Sequence, residues 1–201
     1  QAATAIKPDA YMVAEVWDSF NTIAQYYKSG FTSIFNYAFG GVSGKIPEVL
    51  RGAGNSAKVN TYATALQKAD TAYRGKNADY IDAPFLSNHD CGRIAGFVSR
   101  DENKAKMAAA MNILMSGSCF IYYGEEIGMK GAGKDENKRA PMYWSDDPDD
   151  PDMCAGPPDM DEFPMKFPSA AEQMKDNLSL LTWFREVIRV RNAFPSIARG
   201  T

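Results

Sequence analysis

The sequence predicts an α/β fold made of successive parallel βα units. Three observations point there. Short apolar runs alternate four times with stretches of helical apolar spacing, Gly and Pro turn signals separate them, and polar residues cluster just past the runs. No fixed-period repeat interrupts this order.

Tyr11 to Ala14 reads as a buried strand entered through the Lys7-Pro8-Asp9 turn. Asn21 to Ser29 follows as a short helix, with Gly30 as its C-terminal cap. Phe31 to Phe39 is aromatic and β-leaning and gives a second strand. Val59, Tyr62, Leu66, Ala69 and Tyr73 recur at helical spacing, with Gly75 just beyond. Pro84 to Ser87 is a third apolar run. Asp101 to Ser116 reads as a helix stopped by Gly117, with Met107, Ala110, Met111 and Leu114 on one face; the Met-rich face running on to Met115 reads as core. Cys119 to Tyr123 is the fourth strand. Ser145 to Glu162, rich in Asp and Pro, falls in a long acidic loop at about 145–165. Ser169-Ala-Ala-Glu172 has the form of a capping box and opens a long helix at about 170–193, through Leu178, Leu181, Phe184 and Ile188.

Composition narrows the function. Of 201 residues, 45% are apolar and 23% charged, a balance that supports a packed core and rules out wholesale disorder. Twenty-two Lys plus Arg against 25 Asp plus Glu leave a net charge of −3, so no basic surplus argues for nucleic acid or an anionic membrane. No apolar run approaches the ~20 residues needed to span a bilayer. Nothing at the N-terminus reads as a signal peptide, but the chain opens on Gln rather than Met, and the expectation is a piece of a longer polypeptide. Cys91, Cys119 and Cys154 lie far apart with no Cys-x-x-Cys pair, which excludes a zinc ribbon or a dense disulfide framework; in a secreted protein one pair could bridge. His89 is the sole histidine, so His-rich metal sites are excluded. Aromatics at 12% suit a large core or a stacking surface for sugar or base rings.

In parallel α/β folds, ligands bind beyond the C-terminal ends of the strands. Glu15, Trp17 and Asp18 follow the first strand, Asn88-His89-Asp90 and then Arg93 follow the third, and Gly124-Glu125-Glu126 follow the fourth. Such a rim suits acid/base chemistry on a polar, uncharged ligand. A single Glu past a strand is equally a helix cap or a surface charge. The convergence of Glu15 with His89 and Asp90 is what favours chemistry.

At these residues the sequence resembles a known family. Ala14-Glu15-Val16-Trp17 looks like the fifth-strand motif of the α-amylase family of glycoside hydrolases, and Phe85-Leu-Ser-Asn-His-Asp90 looks like its seventh-strand motif. Phe120-Ile-Tyr-Tyr-Gly-Glu-Glu-Ile-Gly128 is similar to its eighth-strand segment, and Arg139-Ala-Pro-Met-Tyr-Trp144 to the loop that follows. Ile188 to Pro195 resembles the last barrel helix, leading into a C-terminal β domain. The resemblance implies strands five to eight, the second half of a TIM-type (β/α)8 barrel, with residues 1–201 lacking the N-terminal half and the C-terminal β domain. A full barrel needs about 250 residues.

The implied activity of the parent is retaining endo-hydrolysis of α-1,4-glucan such as starch or maltodextrin. Glu15 matches the general acid/base, and Asp90 the second carboxylate, which holds sugar hydroxyls and stabilises the oxocarbenium-like transition state. His89 matches the residue that hydrogen-bonds the glucose ring, with Asn88 beside it as a substrate contact. Arg93 is expected as a donor to the next sugar and Trp17 as a stacking platform on the acceptor side. The expected partner is an α-glucan oligosaccharide or polysaccharide.

One departure qualifies the match. Retaining cleavage needs a nucleophilic carboxylate about 5–5.5 Å from the acid. In the family this is an Asp two residues after an Arg on the fourth strand, and no Arg-x-Asp occurs here. Gln1 to Asp9 would correspond to the helix and turn before the fifth strand, so the chain is expected to begin after the nucleophile and to be inactive alone. An α-glucosidase, an α-1,6-glucosidase or a glucan transferase of the same family is the alternative activity. A catalytically inactive structural or glucan-binding fragment is the alternative of another class.

Other signals are set aside. Gly128 to Lys134 has P-loop spacing, but Asp135 stands where Ser or Thr would hold Mg²⁺. Gly52-Ala-Gly54-Asn-Ser-Ala57 follows a helical stretch rather than a strand, against a dinucleotide fingerprint. The acidic loop lacks the register of an EF-hand, so no metal site and no cofactor is expected in this chain, while Ca²⁺ is possible in the parent. Glu125 and Glu126 are expected to pair with basic residues inside the barrel. Open strand edges at Tyr11 and Cys119 point to self-association or to pairing with the missing half. The expected location is extracellular or cell-surface, with the cytoplasm as the alternative.

Overall fold

The computed structural model describes residues 2–52 and 55–200. The glycine pattern at 52–57 falls partly outside them, at Ala53 and Gly54. Three parallel strands, β1 (Val13–Ala14), β2 (Ser33–Asn36) and β3 (Ile81–Pro84), lie side by side in chain order. Val13 pairs with Ser33, and Ser33 with Ile81. The strands are shorter than the apolar runs that announce them. The second stops at Asn36 rather than Phe39, and the third begins at Ile81, ahead of Pro84.

The expected fourth strand is reduced to one bridge. Phe120 pairs with Phe85 in parallel, and the N–H groups of Ser118 and Phe120 donate to the Asp82 and Pro84 carbonyls at 2.8 and 2.9 Å. Beyond Phe120 the chain turns into a short 3₁₀ segment, Glu125–Ile127, flanked by Gly124 and Gly128 in the left-handed region. Those positive φ angles require glycine and end any strand.

Helices connect the strands. After α1 (Ala2–Ile6) and β1 comes α2 (Phe20–Tyr27), whose N-cap Ser19 side chain accepts from the Thr22 N–H. Between β2 and β3 run α3 (Lys45–Arg51), which has no clear sequence signal, and α4 (Ser56–Arg74), capped by Asn55. After β3 come α5 (Ile94–Phe97) and α6 (Glu102–Ile113); Asp101 caps α6 through Lys104 N–H. The long loop then holds only α7 (Asp135–Lys138) before α8 (Ala170–Gln173), α9 (Leu180–Ala193) and α10 (Ser196–Arg199).

Two sequence readings need correction here. The helix expected at about 170–193 is two helices, because Ser179 starts a second cap by accepting from Thr182 N–H, and its hydroxyl donates to the Gln173 carbonyl at 2.9 Å. The buried stripe of α6 is Ala105, Ala108, Ala109, Asn112 and Ile113; of the expected apolar face Met115 is buried and Met111 packs against the core, whereas Met107 is half exposed and Leu114 is exposed. Alanines let α6 approach its neighbours closely, and the longer side chains are left at the margin.

Side-chain alternation in the strands separates two environments. Ile34 is fully buried with Ile23, Ala24, Tyr27, Ala69 and Tyr73, the layer of α2 and α4. Phe35, one residue on, joins an aromatic set with Phe85 and Phe120 at ring-centroid distances of 5.6 and 4.7 Å. The main core lies among α3, α4, α6 and α9, from Phe39 and Ile46 to Phe184 and Val187. Among the described residues no helix is long and apolar enough to cross a membrane, and all three cysteines are free.

Candidate active site

Glu15 follows β1 directly and is exposed. Tyr37, the residue just past β2, donates its hydroxyl to Glu15 Oε1. Asn88, four residues past β3, donates its Nδ2 to Tyr37 Oη at 3.3 Å. The Asn88 carbonyl oxygen accepts from the N–H groups of Asp90 and Cys91 at 2.9 and 2.5 Å. Three neighbouring strand ends are thus tied into one hydrogen-bonded path, from Glu15 through Tyr37 and Asn88 to the Asp90 backbone. Trp17 stacks on Tyr37 with centroids 4.5 Å apart and planes inclined by 14°, and keeps its outer face open at 66% exposure.

Asp90 is held from two sides. Its Oδ2 lies 3.2 Å from His89 Nε2, and its Oδ1 lies 3.3 Å from Arg139 Nη2. Arg139 also reaches Asp135 at 3.4 Å. A cleft of about 570 Å³ opens beside these residues, lined by Trp17, Tyr37, Lys45, Asp90, Phe97 and Lys138 among others. The loop Gly40 to Gly44 forms one wall and crosses the end of β3 so closely that Gly41 N–H donates to the Leu86 carbonyl at 2.7 Å. A second cavity of about 640 Å³ lies in the helix layer, between α4 and α6, away from Glu15.

The sequence-predicted residues divide clearly. Glu15, Asp90, His89, Trp17 and Asn88 gather on one rim. Asn88 acts there by fixing the turn that presents Asp90. Arg93 does not join them, and its expected sugar contact is corrected: it is fully buried. Its guanidinium lies 4.6 and 4.5 Å from the Tyr122 and Tyr123 ring centroids, and its Nη1 donates to the Tyr123 carbonyl at 2.5 Å. The flat cation is stabilised by two ring faces, which serves the interior of the fold.

The carboxylates after Phe120 also differ from expectation. Among the described residues neither Glu125 nor Glu126 forms an ion pair. Glu125 is buried, its Oε2 accepts from Tyr122 N–H at 3.3 Å, and its Oε1 has no partner. Burial pushes its carboxyl up to about 8, and the Ser87 hydroxyl, the Tyr122 N–H and the Arg93 charge only partly oppose that. Two residues hold places in the site that the sequence reading did not give them. Tyr37 stands at the position just past a strand, but the second strand was read through to Phe39. Arg139 lies 49 positions from its partner Asp90, a separation that no local pattern reveals.

The acidic loop does not gather oxygens for a cation. Asp147 and Asp150 accept from the N–H groups of Asp149 and Asp152, two residues on, at 3.0 and 2.9 Å, and Asp146 accepts from the Tyr143 hydroxyl at 2.5 Å. Among the described residues no group of three or more His, Cys, Asp or Glu side chains could hold a metal.

Comparison with known proteins places this geometry among relatives. Residues 1–200 match the family model described as alpha amylase, catalytic domain. A solved structure of Amy13B from Eubacterium rectale superposes with a TM-score of 0.92 at 44% identity, covering 98% of this chain and 39% of that one. "Alpha-amylase 3" of Dictyoglomus thermophilum is 37% identical over 142 residues, 71% of this chain and 27% of its own length. The alpha-amylase SusG of Bacteroides thetaiotaomicron is 31% identical over 199 residues, 96% of this chain and 26% of its own. The chain therefore spans about a quarter of the length of these two curated relatives.

Proposed function

The chain belongs to the alpha-amylase family of glycoside hydrolases, and from that premise we propose that it is the second half of a (β/α)8 catalytic barrel, carrying the acid/base but not the nucleophile. The parent enzyme hydrolyses internal α-1,4 bonds of starch or maltodextrin with retention. The observation that supports this reading most is the path Glu15–Tyr37–Asn88–Asp90, which ties an exposed carboxylate at one strand end to the backbone of the residue that carries the second carboxylate, two strands away.

Glu15 protonates the leaving glycosidic oxygen and then draws a proton from the attacking water. Asp90, with His89 and Arg139 on its two oxygens, accepts from sugar hydroxyls and stabilises positive charge developing at the ring. Trp17 offers its open face to the sugar on the leaving side. The nucleophilic carboxylate comes from the first half of the barrel, which also covers the half-exposed inner aromatics Phe35 and Phe120. Among the described residues no group of three or more His, Cys, Asp or Glu side chains could hold a metal, and no step of the proposed reaction is routed through one.

The test has two stages. The purified chain alone is expected to show no turnover of maltooligosaccharides, and measurable turnover would remove the half-site reading. Joined to the first barrel half of the E. rectale relative, it is expected to hydrolyse them. Glu15→Gln in that chimera then abolishes cleavage of substrates with poor leaving groups; unchanged rates would take the acid/base role from Glu15.

A further inference from the structure

The Tyr37 hydroxyl has one proton to give and two lone pairs to offer. Which way that proton points is decided by Asn88. The Asn88 carbonyl oxygen is committed to two backbone donors, Asp90 N–H and Cys91 N–H. Its amide nitrogen therefore faces Tyr37 and donates to it. Tyr37 Oη is already an acceptor, and its own O–H goes to Glu15 Oε1.

We propose that Tyr37 is a positioning residue that reserves Glu15 Oε1 as an acceptor, so that the catalytic proton is carried and delivered only from Oε2. This rests on the acid/base reading of Glu15 and specifies which oxygen performs it. A carboxyl oxygen that accepts a phenolic proton cannot also hold one pointing at the same atom. When Glu15 is protonated, the proton lies on Oε2; when it is ionised, Tyr37 stabilises the charge on Oε1. The ring is clamped so that the hydroxyl does not wander: Trp17 covers one face, and Phe85 meets it edge-on with centroids 4.9 Å apart. Burial and the adjoining Glu15 carboxylate both push the phenol well above its ordinary value, so it remains a donor over the whole working range.

The other titratable and charged groups around this pair do not replace Tyr37. Cys91 interacts electrostatically with both Glu15 and Tyr37, and its thiol is pushed up to about 11, chiefly by burial. Asp90, paired with His89 and Arg139, and Lys138 act electrostatically on Cys91. Among the described residues only Tyr37 hydrogen-bonds Glu15.

Tyr37→Phe keeps the clamped ring and removes only the donor. Carbon-13 NMR of the Glu15 carboxyl in this chain, assigned by loss of the signal in Glu15→Gln, reads the effect directly. Losing the phenolic hydrogen bond is expected to displace the Glu15 carboxyl resonance at fixed pH while the other carboxyl signals stay in place. An unmoved resonance overturns the proposal, whatever Glu15 does in catalysis.

In the completed barrel, Tyr37→Phe is expected to lower kcat on maltooligosaccharides about tenfold with little change in KM. An aryl glycoside whose leaving group needs no proton is spared. An equal loss on both substrates overturns the positioning role. If instead Glu15→Gln leaves all rates intact, the acid/base reading fails while the NMR result on the Tyr37 contact still stands.

Discussion

The Asn36 amide nitrogen donates to Asp82 Oδ2 at 2.9 Å, joining β2 to β3 through two buried side chains. The Ala83 N–H donates to the other oxygen at 3.0 Å. Burial outweighs both bonds and pushes the Asp82 carboxyl up to about 7.

This gives the fold an unusual pH dependence. Asp82 and Glu125 keep their protons in the folded chain up to about 7 and about 8, whereas the unfolded chain releases them near 3.8 and 4.5. The unfolded state then binds fewer protons, so stability falls as pH rises across that window. Urea unfolding is expected to show full stability below the ordinary carboxyl range and a loss on the order of a few kcal/mol by pH 8. Asp82→Asn combined with Glu125→Gln flattens the slope. Stability that climbs over the same interval would contradict the assignment.

Arg191 on α9 closes the end of α6. Its Nη1 donates to the carbonyls of Ile113 and Met115 at 2.5 and 2.6 Å, and its Nη2 donates to Gly117. Arg191→Met removes a charged donor from three carbonyls at once and is expected to cost about 3 kcal/mol in denaturant unfolding. Lysine, without the planar fork, recovers only part of it. A cost below about 0.5 kcal/mol, the size of an ordinary surface change, would mean that solvent satisfies these carbonyls.

Gly40 is fixed by close approach rather than by its φ angle. A Cβ there would stand 2.2 Å from the Phe85 carbonyl oxygen and 2.7 Å from that of Leu86, both backbone atoms. Gly40→Ala is expected to lower stability by about 3 kcal/mol and to displace the loop from the cleft wall. A thermal melt superimposable on that of the unchanged chain would count against this.

Trp17 lines the cleft and keeps most of its surface in solvent. In the completed barrel, Trp17→Ala is expected to raise KM for maltooligosaccharides up to about tenfold, the value of one lost stacking platform. The melting curve moves little, because most of the indole is already in solvent. A large drop in stability with unchanged KM would make the ring a packing element.

The rim was legible because one rule found it. Glu15 and Asn88 to Asp90 are polar residues past apolar runs, and strand ends are where parallel folds keep their chemistry. The same rule misses Tyr37 once Tyr37, Ala38 and Phe39 are counted as strand, since an apolar run does not mark where pairing stops. Arg93 was misassigned because proximity to Asp90 in the chain says nothing about Tyr122 and Tyr123, brought to it from 29 and 30 residues away. The last helix hid its break because Ser169 and Ser179 each begin a cap, and the apolar spacing runs on across the join. The Met-rich face was right at Met111 and Met115 and wrong at Met107, because the close-packed stripe of α6 is made mostly of alanines, which carry little weight in an apolar pattern.

Ile127, Met129, Ala140 and Ala170 form a small cluster of their own, apart from the main core, and the strand of loop that carries Arg139 is anchored in it. Having fewer buried residues than the main core, this knot is expected to open ahead of α6, by local breathing rather than global melting. Amide exchange through residues 127–145 is expected to be faster than in α6. Each opening unlatches Arg139 from Asp90, so the charge that faces the cleft is gated by the lifetime of a loop, on a clock separate from that of the barrel strands.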